Sequence, residues 1–304
     1  MPQGQSIGYL CTFLYCVVSG ISFVFIVHIN KVHNEMLSII LVFSLATILF
    51  NLLNCRKIKV VYRKVSNHWA LVLKLNLATL FNWLGSFLSL NYLDPATALC
   101  INLAMAPITT FLMLTPLKKI YENKSIVYAI FLIIIGMLLI IQQQQHNMNS
   151  FSTTLLGVLL SVVGGVAGGF VGLYSEKMNK AAFSISQILA IRFYILIIIC
   201  GIILMSTAPI NVLAEIDWNL YLLSSLLIVI LPLIMYQGAI KTLGSMSVSL
   251  FIPLAPIFAY FISVWVGNIL FNFTMLILLL GVCFCIIWFS LSKKKMIPLI
   301  KEEK

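Results

Sequence analysis

Apolar residues run along this chain in long stretches, each of about 17 to 25 residues, the length that crosses a bilayer as a helix. Polar residues gather in short breaks between them. Ten stretches read as spanning helices: 7–28, 35–54, 69–91, 95–117, 125–142, 154–175, 184–206, 218–240, 246–267 and 271–291. The breaks leave no room for a soluble domain. The pattern therefore predicts an all-α integral membrane protein with ten transmembrane helices.

One stretch is repeated. Leu93 to Leu117 reads as an apolar helix with a short polar entry and Pro107 near its middle, and a related stretch lies 149 residues later, from Met246 to Asn268. At that shift Ala106, Pro107 and Ile108 fall on Ala255, Pro256 and Ile257. Gly8 falls on Gly157, Gly20 on Gly169, and Asn30-Lys31 on Asn179-Lys180. The matches divide the chain into two five-helix units, 1–147 and 148–304. With an odd number of spans per unit, the second enters the membrane from the opposite side, giving inverted repeats of the kind found in transporters, with a substrate site near the midplane between them.

Composition agrees. The chain has 304 residues, 62% apolar and only 9% charged, against about 25% charged in soluble domains. No basic run or small-residue cleavage site marks a leader, so the first stretch reads as a retained span. The basic residues fix the expected orientation. With the N-terminus inside, the inner breaks and tail hold 16 of the 19 Lys and Arg, and the outer side holds only Lys31. Both termini are thus expected in the cytoplasm of a cell (inner or plasma) membrane. The net charge of +11 then reads as contact with the cytoplasmic leaflet, not nucleic-acid binding. Six of the seven cysteines lie inside apolar runs, with no C-x-x-C and no nearby His at ligand spacing, so no metal or cofactor is expected.

Local signals refine the helices. Asp94-Pro95 reads as an N-cap followed by a first-turn proline, and Gly244-Ser245 as a helix end and a new start. Gly164, Gly165, Gly168, Gly169 and Gly172 allow two backbones to approach closely. Pro107, Pro232, Pro253 and Pro256 sit inside helical runs, where each removes a backbone hydrogen bond and favours a kink.

Candidate chemistry is sparse. No acidic residue sits mid-span, and no P-loop, H-E-x-x-H or G-x-S-x-G is present, so an enzyme is not expected. Arg192 lies eight residues into its span, about 12 Å deep, where a cation is costly and is read by default as functional; snorkelling or bonding to neighbouring carbonyls are its blander roles. Asn76 and Trp83 are seven residues apart on one helical face, with Ser86 three further on. Asn102, Tyr194, Tyr236, Gln237 and Tyr260 complete the substrate-binding candidates. Aromatic walls with a few polar groups suit a small, partly apolar metabolite.

Ten spans in two halves, with Ala-Pro-Ile in the fourth span of each, resemble the drug/metabolite transporter superfamily, specifically its EamA-type branch. Ile191-Arg192-Phe193 is similar to the Arg-Phe often found there in that family, and Gly136 and Gly281 to the glycine of its fifth span. Two features depart from it: Phe43-Ser44 stands where a first-half Arg-Phe would fall, and no Gly-Glu follows either fourth span. The resemblance implies a carrier, with export slightly favoured over uptake; the inverted halves imply alternating access, and a monomer or homodimer in the bilayer is expected. Its cargo would be a small polar metabolite, amino acid-like or another zwitterion or vitamin. The alternatives are an exchanger or uptake carrier for a larger metabolite such as S-adenosylmethionine or a nucleotide, and a non-transporting membrane subunit or receptor.

The topology is checked with single cysteines placed in a cysteine-free background. Lys31→Cys should react with an impermeant maleimide in intact cells, and Lys301→Cys only after permeabilisation. The reverse pattern would invert the orientation.

Overall fold

The computed structural model describes residues 3–114, 136, 151–207 and 216–294. The expected fifth span (apart from Gly136), the 142–150 loop and the basic residues from Lys295 onward lie outside these. Among the described residues there are thirteen α-helices and no strand, and eight helical stretches are long and apolar enough to cross a membrane. The tenth expected span falls on a further helix, whose described apolar part is Phe273–Cys285.

The helices are α1 Gln3–Val32, α2 Glu35–Leu53, α3 Ile58–Asn67, α4 Trp69–Ser89 and α5 Pro95–Leu114, then α6 Phe151–Lys180, α7 Ile185–Ile191 and α8 Tyr194–Thr207. After these come α9 Trp218–Ser224, α10 Leu231–Leu243, α11 Ser245–Phe251, α12 Ala255–Trp265 and α13 Phe273–Lys294.

The inside of the molecule is more polar than a soluble core, and the outside is apolar. Leu10, Ile48, Ile202 and Met205 are exposed, whereas Thr47, Asn76, Ser86, Asn102 and Gln237 are buried. Several buried hydroxyls return their protons to carbonyls one turn back, as in Thr12 to Gly8 O at 2.8 Å and Thr110 to Ala106 O at 2.8 Å, and these carry no unmet donor into the interior; the hydroxyls of Thr79, Ser161, Ser225 and Ser263 are buried without a partner among the described residues.

Packing follows the glycines. α6 packs most extensively on α4 and α5, and α1 on α10 and α12. A Cβ at Gly165 would collide with the carbonyl oxygen of Asn102, and one at Gly85 would lie 2.6 Å from Leu160 O. Backbone therefore touches backbone where α6 crosses α4 and α5. The contacts of the repeated glycines correspond. A Cβ at Gly169 would come 2.7 Å from Thr109 Cβ, and one at Gly20 would come 2.9 Å from Phe258 Cβ; Thr109 and Phe258 are themselves 149 residues apart.

Local signals act as their chemistry predicts. Asp94 accepts the Thr97 N–H at 2.9 Å, closing the first turn of α5. Gly244, at φ 81°, ends α10 and leads into α11, a conformation open to glycine at little cost. The four prolines divide. Pro107 lies within α5 without ending it. Pro232 begins α10 just after a π-helical turn at Ser225–Ile230, whose extra residue makes room for a residue that cannot donate. Pro253 sits in a 3-10 turn, Ile252–Leu254, and Pro256 opens α12 behind it. The second Ala-Pro-Ile therefore interrupts its helix where the first does not. Pro253 supplies a second missing N–H three residues earlier, where the first copy has Ala104.

Two elements were not expected. The basic break from Arg56 to Lys64 contains a helix, α3, because Ile58, Val61 and Val65 form a helical stripe; Val61 is buried while Lys59 and Arg63 stay exposed. The seventh span is not continuous but breaks between α7 and α8, at Arg192 and Phe193.

Gly165→Val should destabilise the purified protein by roughly 3 kcal/mol, since the contact is with backbone that cannot yield. Gly201→Ala, where an added Cβ meets nothing within 4 Å, should leave it unchanged or slightly more stable. Thermal-inactivation midpoints in detergent compare the two.

Candidate functional site

The break at Arg192 has no proline or glycine to cause it; Ala190 to Tyr194 reads Ala-Ile-Arg-Phe-Tyr. A capping box fixes where α7 begins: Ser184 Oγ accepts the Gln187 N–H, and Gln187 Oε1 accepts the Ser184 N–H at 3.1 Å. Two asparagines hold its other end open. Asn76 on α4 donates from Nδ2 to Ile191 O at 2.8 Å, and its Oδ1 accepts the Ile195 N–H at 3.4 Å. Asn51 on α2 donates to Ala190 O at 3.0 Å and to the Tyr194 hydroxyl at 3.1 Å. Backbone groups that would have bonded along a continuous helix thus find side-chain partners, as burial demands.

The break turns Arg192 into a cavity of about 50 Å³, enough for a few waters. α1 contributes Tyr15, Ser19 and Ser22; α4 contributes Asn82, Trp83 and Ser86; Asn102 comes from α5 and Tyr236 from α10. The Tyr15 and Tyr236 rings lie 5.1 Å apart and tilted by 32°. Behind Trp83, Phe43 packs against both Trp83 and Phe193, with centroids at 4.9 and 5.1 Å.

The polar groups around this space are mostly tied to one another. Asn82 Nδ2 donates to Gly164 O at 2.9 Å, Ser86 Oγ to Asn82 O at 2.7 Å, and Asn102 Nδ2 to Ser86 Oγ at 2.9 Å. Ser22 Oγ lies 2.7 Å from Leu227 O, a carbonyl in the π-helical turn. Arg192 is the exception. It is 1% exposed, yet its Nε and Nη1 have no partner. The Phe193 ring, 5.2 Å from its guanidinium carbon, gives a weak cation–π contact. Trp83 Nε1 is likewise buried without a partner. Among the described residues no Asp or Glu lines the cavity.

Of the eight substrate-binding candidates, Arg192, Trp83, Asn102 and Tyr236 line this cavity. The other four do not. Asn76 and Tyr194 brace the helix break. Gln237 donates to Ser175 Oγ at 2.8 Å. Tyr260 bonds both ways with the backbone of Asn272, just before α13. Of the prolines, only Pro232 lines the cavity. The α1 wall was missed, although Tyr15, Ser19 and Ser22 stand four and three residues apart on one helical face, a polar stripe in an otherwise apolar span.

A second, larger groove of about 510 Å³ runs between α4 and α6, lined by Leu77, Phe81, Val163, Phe170 and Lys74. It is almost wholly apolar and suits lipid chains better than a polar ligand. Among the described residues no group of three or more His, Cys, Asp or Glu side chains could hold a metal ion. Cys16 and Cys283 instead bond to the carbonyls of the interrupted α11–α12 stretch, Cys283 Sγ to Pro253 O at 2.9 Å. No family model matches the chain, and no curated protein matches it in sequence.

Asn76→Leu should lower stability by about 2 kcal/mol, since it leaves Ile191 O buried without its donor. Leu77→Ala, at an exposed neighbouring site, should cost under 1 kcal/mol. Equal losses in thermal inactivation would contradict the bracing role of Asn76.

Proposed function

We propose that the protein is a membrane carrier for a small polar metabolite, working by alternating access between two inverted five-helix halves, 1–147 and 148–304, of the EamA type. The observation that carries this reading is the small polar cavity holding a buried arginine with unmet donors, walled by helices from both halves. A packed structural core has no use for such a residue. The inverted-repeat part is supported by the exchanged contacts: Gly20 of the first half meets Phe258 of the second, and Gly169 of the second meets Thr109 of the first. The small cavity favours a compact cargo over a nucleotide-sized one. In this reading both termini are cytoplasmic, ten helices span a cell membrane, the cargo crosses chemically unchanged, and export is the favoured direction.

The test is counterflow in proteoliposomes. Vesicles preloaded with one class of unlabelled metabolite should take up its labelled form above protein-free controls, and uptake should survive collapse of the pH gradient alone. No exchange across amino acids, organic acids, vitamins and nucleotides by folded protein would favour a non-transporting subunit.

A further inference from the structure

We propose that the cavity is a carboxylate site, and that its ligand is a compact organic monoanion held by Arg192 and Trp83. Calling that ligand the cargo rests on the carrier reading above; the binding site stands without it.

The fully buried side-chain atoms of the lining that lack a partner are all of one kind. Arg192 Nε, Arg192 Nη1 and Trp83 Nε1 are the cavity-lining side-chain atoms buried without a partner among the described residues, and all three are N–H donors that can accept nothing. The missing partner is therefore an acceptor. An amine or ammonium group would leave these three donors unmet.

Charge points the same way. Among the described residues Arg192 is the only charged side chain in the lining, and a buried guanidinium without a counter-ion is strongly disfavoured. A ligand of net charge −1 neutralises it, whereas a zwitterion brings an ammonium group that no carboxylate among the described lining residues receives. The remaining wall is apolar, including Leu99, Leu103, Val171 and Ile228, and suits a short hydrocarbon body. A carboxylate on such a body matches both parts of the wall; a hydrated inorganic anion matches only one. The break between α7 and α8 belongs to the same design, because it lets a residue at a helix terminus face the cavity while Asn76 and Asn51 absorb the freed backbone groups.

The experiment uses purified full-length protein in nanodiscs at fixed ionic strength, titrated with acetate, isobutyrate and benzoate, with the amides isobutyramide and benzamide, and with chloride and phosphate. Binding is read by thermal shift and calorimetry. At least one monocarboxylate should raise the unfolding midpoint in a saturable way while its amide does not. Trp83→Phe should weaken that binding about tenfold or more, the usual scale for a hydrogen bond to a charged group. Arg192→Met should abolish the response, and the ligand-free variant should be at least as stable as the parent because an uncompensated charge is gone. Arg192→Lys should retain weakened binding.

A flat carboxylate response from folded protein overturns the proposal. So does an equal response to the amides, to chloride or phosphate, or in Arg192→Met. Counterflow separates this from the carrier reading. Exchange of an amino acid without any carboxylate shift would sink the anion site and keep the carrier. A carboxylate shift without exchange would do the opposite.

Discussion

Backbone groups released by a broken helix must find partners within the protein when the surroundings are hydrocarbon, and much of this structure is arranged around that requirement. Asn76 and Asn51 take up the carbonyls of Ile191 and Ala190 where α7 gives way to α8. Ser22 reaches from α1 to Leu227 in the π-helical turn. Cys16 and Cys283 serve Ile252 and Pro253 where two prolines interrupt α11 and α12. Each break is answered by a side chain from another helix, so the irregular segments also bind the helices together. Four of the residues at or serving these breaks, Arg192, Ser22, Ile228 and Ile252, line the polar cavity. Irregular backbone is tolerated in a membrane where it is enclosed by protein or lines a cavity, and here it does both.

The close approach of α6 to α4 and α5 is the second condition. Gly165 and Gly85 remove the side chains that would hold these helices apart. With the backbones this near, Asn82 can reach Gly164 O and Asn102 can reach Ser86. The polar chain along one wall of the cavity is a consequence of small residues on the helix opposite.

Much of the helical layout was legible in the sequence because membrane spans declare themselves by length and apolarity. Asp94 and Gly244 marked helix ends by simple local chemistry, and both act there. What escaped notice depends on distant partners. Nothing between Ala190 and Tyr194 announces a break, since its cause sits on α2 and α4. Pro107 and Pro256 look alike in sequence, but only the second, three residues after Pro253, stands at an interruption. Helix α3 was hidden because its basic residues drew attention away from the stripe of Ile58, Val61 and Val65. Within the candidate site, Arg192 stood out as a costly residue type in apolar surroundings, and Trp83 and Asn76 as neighbours on one helical face. Of that pair only Trp83 faces the cavity, because the Asn76 amide is used up by backbone.

The amphipathic helix α3 has a mechanical consequence. Lys64, near its end, donates to Ala182 O at 2.7 Å, in the turn between α6 and α7 where Ala182 is held at φ 61°, a costly conformation for a residue with a Cβ. From that turn α7 runs only seven residues to Arg192, a rod about 10 Å long. The turn, the bond to Lys64 and the placing of Arg192 are thus parts of one short stretch of chain. The short helix lying among the surface basic residues is therefore tied, through one turn and seven residues, to the segment that presents the guanidinium.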